Sequence, residues 1–206
     1  MNIQKTIKNL GVALALSMLP VKAHSVSTDV RYIASEKGSD SYVEASALYQ
    51  LPGKIEGFTY LDFLKDGKGY FGETSLDKSI VAGIGPMIRG VHLNDLLSQE
   101  GFGASASIGG KSGYAKAYVL PKWIDEKGKS IDSKAIAGYA FGLFLPKGIK
   151  VSGFGKYNYQ KGEWDYGEME LGKTFKDFEI SYNPALLSNG TKTPTVEQRV
   201  SMRVKF

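Results

Sequence analysis

Strict alternation of apolar and polar side chains is the feature that most constrains how this chain can fold. Over the last eight residues every second side chain is apolar, and these are Val200, Met202, Val204 and Phe206. The positions between them are all polar, and they are Arg199, Ser201, Arg203 and Lys205. Because successive side chains of a β-strand point to opposite faces, this segment is predicted to be a strand with one apolar and one polar face.

The same alternation recurs from residue 25 onward, while a helical period is almost absent. Turn-forming residues divide this part into about twelve predicted strands, at 25–35, 41–50, 54–64, 70–76, 79–89, 102–109, 113–121, 135–145, 149–160, 163–175, 178–184 and 195–206. Spacers after the even-numbered strands are tight, whereas most others are longer, at 36–40, 65–69, 90–101, 122–134 and 185–194. The 90–101 loop is expected to contain one or two helical turns. Transmembrane barrels combine short periplasmic turns with longer outer loops in this way.

The N-terminal segment has the order of features found in a secretory signal. Lys5 and Lys8 precede a short apolar run at 10–19, and small residues flank position 22. Residues 1–23 are therefore predicted to be a signal peptide, and 24–206 a single outer-membrane β-barrel. A buried N-terminal helix is the alternative for the first segment, and the ordered sequence of charge, apolar run and cleavage site favours the signal.

Composition excludes several classes of function. The 206 residues include no cysteine and two histidines, His24 and His92, so no metal and no cofactor is expected. Outside residues 1–23 the chain holds 23 basic and 21 acidic residues, a balance that argues against a nucleic-acid partner. Common catalytic motifs are absent, and His92, Asp95 and Ser98 on one predicted loop are expected to be solvated. The chain is therefore expected not to be an enzyme.

A closed barrel in lipid accounts for these features better than a soluble fold. Backbone groups inside a bilayer must pair within the protein, which a sheet achieves only by closing on itself. The predicted fold is an all-β, transmembrane, antiparallel up-and-down barrel of about twelve strands, and the even strand number puts both termini in the periplasm. The final strand, ending at Phe206, resembles the signal that outer-membrane barrels present to the barrel assembly machinery. A soluble periplasmic binder remains an alternative, because alternation alone does not tell which face meets water.

The polar strand faces would line a narrow lumen, since twelve strands fall between a filled barrel of eight and an open channel of sixteen. The predicted lining residues are Asp29, Arg31, Tyr42, Glu44, Glu56, Phe58, Tyr60, Asp62, Tyr114, Lys116, Tyr118, Lys156, Asn158, Tyr166, Glu168, Glu170, Glu179, Arg199, Arg203 and Lys205. Aromatic faces stack on flat rings and carboxylates accept hydrogen bonds from hydroxyl groups. Such a lining suits a small polar solute with a ring, although the opposite charges could instead pair and brace the barrel.

Several segments resemble those of the nucleoside-specific channel-forming proteins, the Tsx-type outer-membrane barrels. The segments are Tyr42-Val43-Glu44, Phe58-Thr59-Tyr60-Leu61-Asp62, Tyr70-Phe71-Gly72, Lys156-Tyr157 and Glu163-Trp164-Asp165. The resemblance implies a twelve-stranded barrel in the cell outer membrane that passes nucleosides. The residues expected to contact solute are Glu44, Phe58, Tyr60, Asp62, Phe71, Lys156, Tyr157, Trp164, Asp165 and Arg199. The chain is shorter and poorer in tryptophan than typical members.

Two functions in a membrane follow from this sequence. The first is an outer-membrane channel for small polar solutes, such as nucleosides. The second is a plugged or narrow barrel whose outer loops act as an adhesin, a receptor or a masking surface. In both cases the lipid bilayer of the outer membrane is the principal partner.

Overall fold

The computed structural model describes residues 25–36, 41–63, 69–93, 96–176, 178–188 and 194–205. Fourteen strands make up most of these residues, and they are β1 (Ser25–Ser35), β2 (Tyr42–Leu51), β3 (Ile55–Phe63), β4 (Tyr70–Lys78), β5 (Ile84–Leu93), β6 (Leu96–Gly110), β7 (Gly113–Asp125), β8 (Ile136–Leu145), β9 (Ile149–Asn158), β10 (Glu163–Phe175), β11 (Phe178–Tyr182), β12 (Ala185–Leu187), β13 (Thr195–Glu197) and β14 (Arg199–Lys205). A single 3₁₀ turn spans Pro146–Gly148. No helix in this part of the chain is long and apolar enough to cross a membrane.

The strands form one closed antiparallel sheet. Each strand from β1 to β10 pairs with its neighbour in the chain, and β14 pairs with both β1 and β11 to close the ring. The last two barrel strands are interrupted, as β11 and β12 are separated at Asn183 and Pro184, and β13 and β14 at Gln198. Proline has no backbone N–H to donate to a ladder, which accounts for the first break. The barrel therefore has twelve strands, which confirms the predicted all-β, antiparallel up-and-down barrel.

Some strand boundaries differ from the prediction. The expected loop at 90–101 is instead part of the β5–β6 hairpin, which runs to Leu93 and resumes at Leu96. His92 thus lies in a strand rather than in a loop, and the expected helical turns are wrong. Residues 185–187, also expected in a loop, form β12. The predicted signal peptide and Phe206 lie outside the described residues.

The outer face of the barrel is apolar, as predicted. Val200 and Met202 are 53% and 50% exposed, whereas Arg199 and Ser201 of the same strand are 6% and 2% exposed. Exposed apolar side chains continue around the ring, for example at Ile88, Leu143 and Leu171. This surface matches hydrocarbon, while the charged side chains are enclosed, which is the inverse of a soluble barrel.

One part of the interior is apolar, which the alternation did not predict. Met87, Tyr118, Leu120, Trp123 and Ile136 point inward from β5, β7 and β8 and pack into one buried cluster, against which Ile131 also packs. Glycines on the neighbouring strands, Gly138 and Gly101, make room for the rings of Tyr118 and Trp123. A Cβ at Gly138 would lie 2.2 Å from the Tyr118 ring, so glycine is needed there for the ring to cover β8.

Candidate lumen site

Charged side chains from strands that are not neighbours meet inside the barrel. Arg31 on β1 donates to Glu44 on β2 at 3.0 Å and to Glu168 on β10 at 2.7 Å. Arg199 on β14 lies against the same group, since its guanidinium donates to the Tyr166 hydroxyl at 2.9 Å. The alternation of these strands places all five side chains on the inner face, so their hydrogen bonds tie separate parts of the wall together.

A second group of charges spans the lumen itself. Lys156 on β9 donates to Glu73 on β4 at 2.7 Å, and these strands lie nearly opposite each other in the barrel order. Arg89 on β5 donates to the other carboxylate oxygen of Glu73 and, at 2.6 Å, to the Tyr118 hydroxyl. Glu73 and Lys156 are both 6% exposed. These three charged side chains, Glu73, Arg89 and Lys156, are called the crossbar below.

A third group of charges lies closer to the end that carries the short turns. Glu179 is fully buried and accepts from Arg203 at 2.9 Å and from Lys150 at 3.4 Å. Lys150 also donates to Glu170 at 3.0 Å, which in turn accepts from Ser181 at 2.9 Å. Buried charges are tolerated only when paired and hydrogen-bonded, and this group meets that requirement.

The inner face is exposed near the ends of the barrel and buried at mid-height. Leu48, Phe58, Tyr114 and Phe144 point inward near the short turns, yet they are between 41% and 56% exposed. At the opposite end the inward-facing Leu93 is 48% exposed. Solvent thus reaches inner side chains at the short-turn end and at Leu93 of the opposite end, where Ile33, Trp123 and Ile136 are buried, and the crossbar lies in the enclosed middle.

An aromatic ladder runs along the inner face of β3 and β4. The rings of Phe58 and Tyr60 are 6.1 Å apart, and those of Tyr60 and Phe71 are 6.3 Å apart. Glu44 and Asp62 are directly paired across β2 and β3 beside this ladder. Among the described residues, Oδ1 of Asp62 is a buried atom with no hydrogen-bond partner. A flat ring with polar substituents could stack here and donate a hydrogen bond to that oxygen.

The structure places seven of the ten predicted contact residues on the inner face of the barrel. Glu44, Phe58, Tyr60, Asp62, Phe71, Lys156 and Arg199 face the lumen. Tyr157 and Trp164 instead lie on the outer face, where their rings meet at 5.6 Å, so the expectation that they line the lumen is wrong. A register shift between Trp164 and Tyr166 leaves the exposed Asp165 without a partner in β9. Outward aromatic residues near the strand ends are typical of the interfacial girdle of membrane barrels.

The crossbar residues Glu73 and Arg89 were not predicted. Glycine and aromatic residues on both faces of 70–89 obscured the register of that segment. A signal was present, because Phe71, Glu73, Ser75 and Asp77 are the inward positions of β4 and three of them are polar. Glu73 and Arg89 come close to Lys156 only because the barrel closes, and no local sequence pattern predicts that contact.

The loop at 126–135 folds toward the inner apolar cluster. The backbone N–H of Ile131 donates to the Trp123 carbonyl at 2.8 Å, and the Lys134 ammonium lies 3.8 Å from the centre of the Trp123 ring. Burial in this position lowers the pKa of Lys134 below its ordinary value. This loop therefore narrows the mouth of the lumen at the end opposite the short turns.

Comparisons with known proteins support the fold. No protein-family model and no curated protein matches the sequence. The KdgM porin, solved with disordered oligogalacturonate, matches with a TM-score of 0.57 at 8% identity, over 87% of this chain and 99% of that chain. The NanC porin matches with a TM-score of 0.53 at 11% identity, over 87% and 98%. Outer membrane phospholipase A from Escherichia coli matches with a TM-score of 0.54 at 11% identity, over 91% and 98%.

These identities establish a shared fold and nothing about activity, because the fold is common to porins and to phospholipases. The Tsx-type resemblance has no matching family model behind it. Together with the apolar outer surface, the fold is that of an outer-membrane β-barrel.

Proposed function

We propose that this protein is an outer-membrane channel for small polar solutes and that nucleosides are the solute class it passes. The observation that carries the proposal is the chemistry of the lumen, which is lined by charged side chains that meet across it at the crossbar. A barrel that only needed stability could be filled with apolar side chains, whereas enclosed charges cost desolvation energy.

The choice of nucleosides depends on the aromatic ladder and on the carboxylates beside it. A nucleobase would stack on Tyr60 and Phe71, and ribose hydroxyls would donate to Glu44 and Asp62. Lys156 and Arg199 would then set which charges can pass. In this proposal the five short turns and both termini face the periplasm, and the C-terminal segment that includes β14 engages the barrel assembly machinery.

Single-channel recording of the refolded barrel in planar bilayers tests both parts of the proposal. We expect stepwise conductance that falls as nucleoside is added, and a Tyr60→Ala variant that conducts but no longer responds. Tyr32→Ala is the matched control, because Tyr32 lies on the outer face and is 46% exposed. Conductance that no nucleoside reduces would contradict the proposed solute class, and absence of conductance would contradict the proposal of a channel.

A second function is favoured by the way the mouth is narrowed. The 126–135 loop packs on the inner cluster through Ile131, and the crossbar spans the lumen below it. If the lumen stays closed, the outer loops would be the working part, as in an adhesin or receptor. Shortening 126–135 would then abolish binding to cells while leaving the barrel folded.

A further inference from the structure

Lysine recurs at every short turn of the barrel. One lysine stands in or beside each of the five turns, and these are Lys54, Lys78, Lys111, Lys147 and Lys176. All five are exposed. Because the strands are antiparallel, these turns lie at the same end of the barrel, which therefore carries a lysine at each turn.

Three of these lysines adopt a backbone conformation that favours other residues. Lys54, Lys147 and Lys176 have φ of 60°, 61° and 51°. Glycine and asparagine adopt this left-handed region more easily than a lysine does. The turns would thus form at least as readily without the charges, so turn geometry does not explain why lysine stands there.

An apolar groove on the outer face leads to one part of this end. The groove has a volume of about 390 Å³ and runs over β9, β10, β11 and β14, where Ile149, Leu171, Ile180, Tyr182 and Val200 line it. Lys173 lies at its turn-proximal end, and its ammonium donates to the Lys147 carbonyl. Lys176 follows β10 one residue beyond Phe175. Lys147, Lys173 and Lys176 are called the groove lysines.

We propose that the groove binds one anionic phospholipid, with an acyl chain along its apolar wall and the phosphate at the groove lysines. The site is complementary to both parts of the lipid. The groove faces hydrocarbon, as an acyl chain requires, and the lysines lie where the strands give way to turns, at the level of a headgroup. Basic side chains near a membrane surface attract anionic lipid headgroups, and the attraction is strongest at low salt. The inference concerns the outer surface and is independent of whether the lumen conducts.

Native mass spectrometry of the refolded full-length barrel in detergent tests the proposal, with phosphatidylglycerol and phosphatidylcholine of identical acyl chains as probes. We expect one phosphatidylglycerol per barrel, bound at least about tenfold more tightly than phosphatidylcholine at low salt. The variant Lys147→Asn/Lys173→Gln/Lys176→Asn should lose this preference. Its folding should not suffer, because asparagine suits the backbone at 147 and 176.

A matched control removes the same number of charges from the opposite end. Lys127→Asn/Lys129→Asn/Lys161→Asn alters three exposed lysines between the long-loop ends of the strands and should leave the preference intact. Leu171→Trp, which fills the groove, should weaken binding of both lipids. Equal binding of the two lipids, a preference that survives loss of the groove lysines, or a dimer without lipid that covers the groove would each overturn the proposal.

Discussion

Replacing Glu73 with Gln should destabilise the barrel strongly, because this carboxylate is the shared partner of two enclosed cations. Its two oxygens accept from Lys156 at 2.7 Å and from Arg89, and the carboxylate side chain is 7% exposed. Glutamine keeps the shape of the side chain but removes its charge. Lys156 and Arg89 would then face each other across the lumen without a counter-ion.

The expected cost follows from how little water reaches the crossbar. Breaking a buried ion pair by removing one partner costs about 3–5 kcal/mol, whereas an exposed pair contributes at most about 1 kcal/mol. The side chains of Lys156 and Arg89 are 8% and 11% exposed, which places the crossbar in the first class. We therefore expect Glu73→Gln to lower the free energy of unfolding by about 3 kcal/mol.

A second substitution, at Lys156, shows how much of this cost comes from the interaction between Glu73 and Lys156. Lys156→Met removes one cation but leaves Glu73 paired with Arg89, so its cost should be smaller, about 1–2 kcal/mol. In the double variant Glu73→Gln/Lys156→Met, the remaining uncompensated charge is that of Arg89. The free energy of unfolding lost in the double variant should therefore be smaller than the sum of the two single losses, by about 1 kcal/mol or more.

Urea unfolding of the barrel from lipid vesicles measures these differences. Trp123 and Trp164 are the only tryptophans in the sequence. The fluorescence of Trp123 reports unfolding of the inner cluster, and that of Trp164 reports unfolding at the outer face. A cost below about 1 kcal/mol for Glu73→Gln, together with additive effects in the double variant, would refute the reasoning. It would mean that water screens the crossbar in the folded barrel.

Four further predictions test other parts of the account. Met202→Arg, on the outer face, should cost about 2–4 kcal/mol in vesicles by urea unfolding, and no cost would contradict a lipid-facing β14. Lys156→Ala should raise single-channel conductance by shortening the crossbar, and unchanged conductance would place the narrowest point elsewhere. Trp164→Ala should lower stability in vesicles by about 1 kcal/mol with conductance unaltered, and a change in conductance would indicate that Trp164 faces the lumen. Gly138→Val should displace the Tyr118 ring and cost about 1–3 kcal/mol, measured by the same unfolding assay, and a neutral result would show that the ring can move aside without loss of stability.

Strand positions could be predicted from sequence wherever alternation ran between clear turn residues. The expected bounds of β1 and β10, 25–35 and 163–175, match the structure at both ends. The inward positions of β2 and β3 were also available, because Glu44, Tyr60 and Asp62 alternate with apolar residues. In these strands, whether a residue has an odd or an even number is enough to predict which face of the sheet its side chain is on.

The prediction failed at the spacer 90–101. A loop with one or two helical turns was expected there, although the backbone continues in a hairpin with a register shift after Val91. The inner apolar cluster was missed because the prediction assigned every apolar face to lipid. Lys156 and Glu73 meet only because the sheet closes, and a linear pattern carries no information on which distant strands face each other.

Oxygen accessibility of spin labels along β14 tests the central claim most directly, namely that apolar side chains face lipid and charged ones face an enclosed lumen. The sequence has no cysteine, so Val200→Cys, Ser201→Cys, Met202→Cys and Arg203→Cys can each be labelled at a single site. In vesicles, labels at 200 and 202 should be strongly relaxed by oxygen dissolved in the bilayer, and labels at 201 and 203 should not. The opposite phase, or the same accessibility at all four positions, would contradict the account.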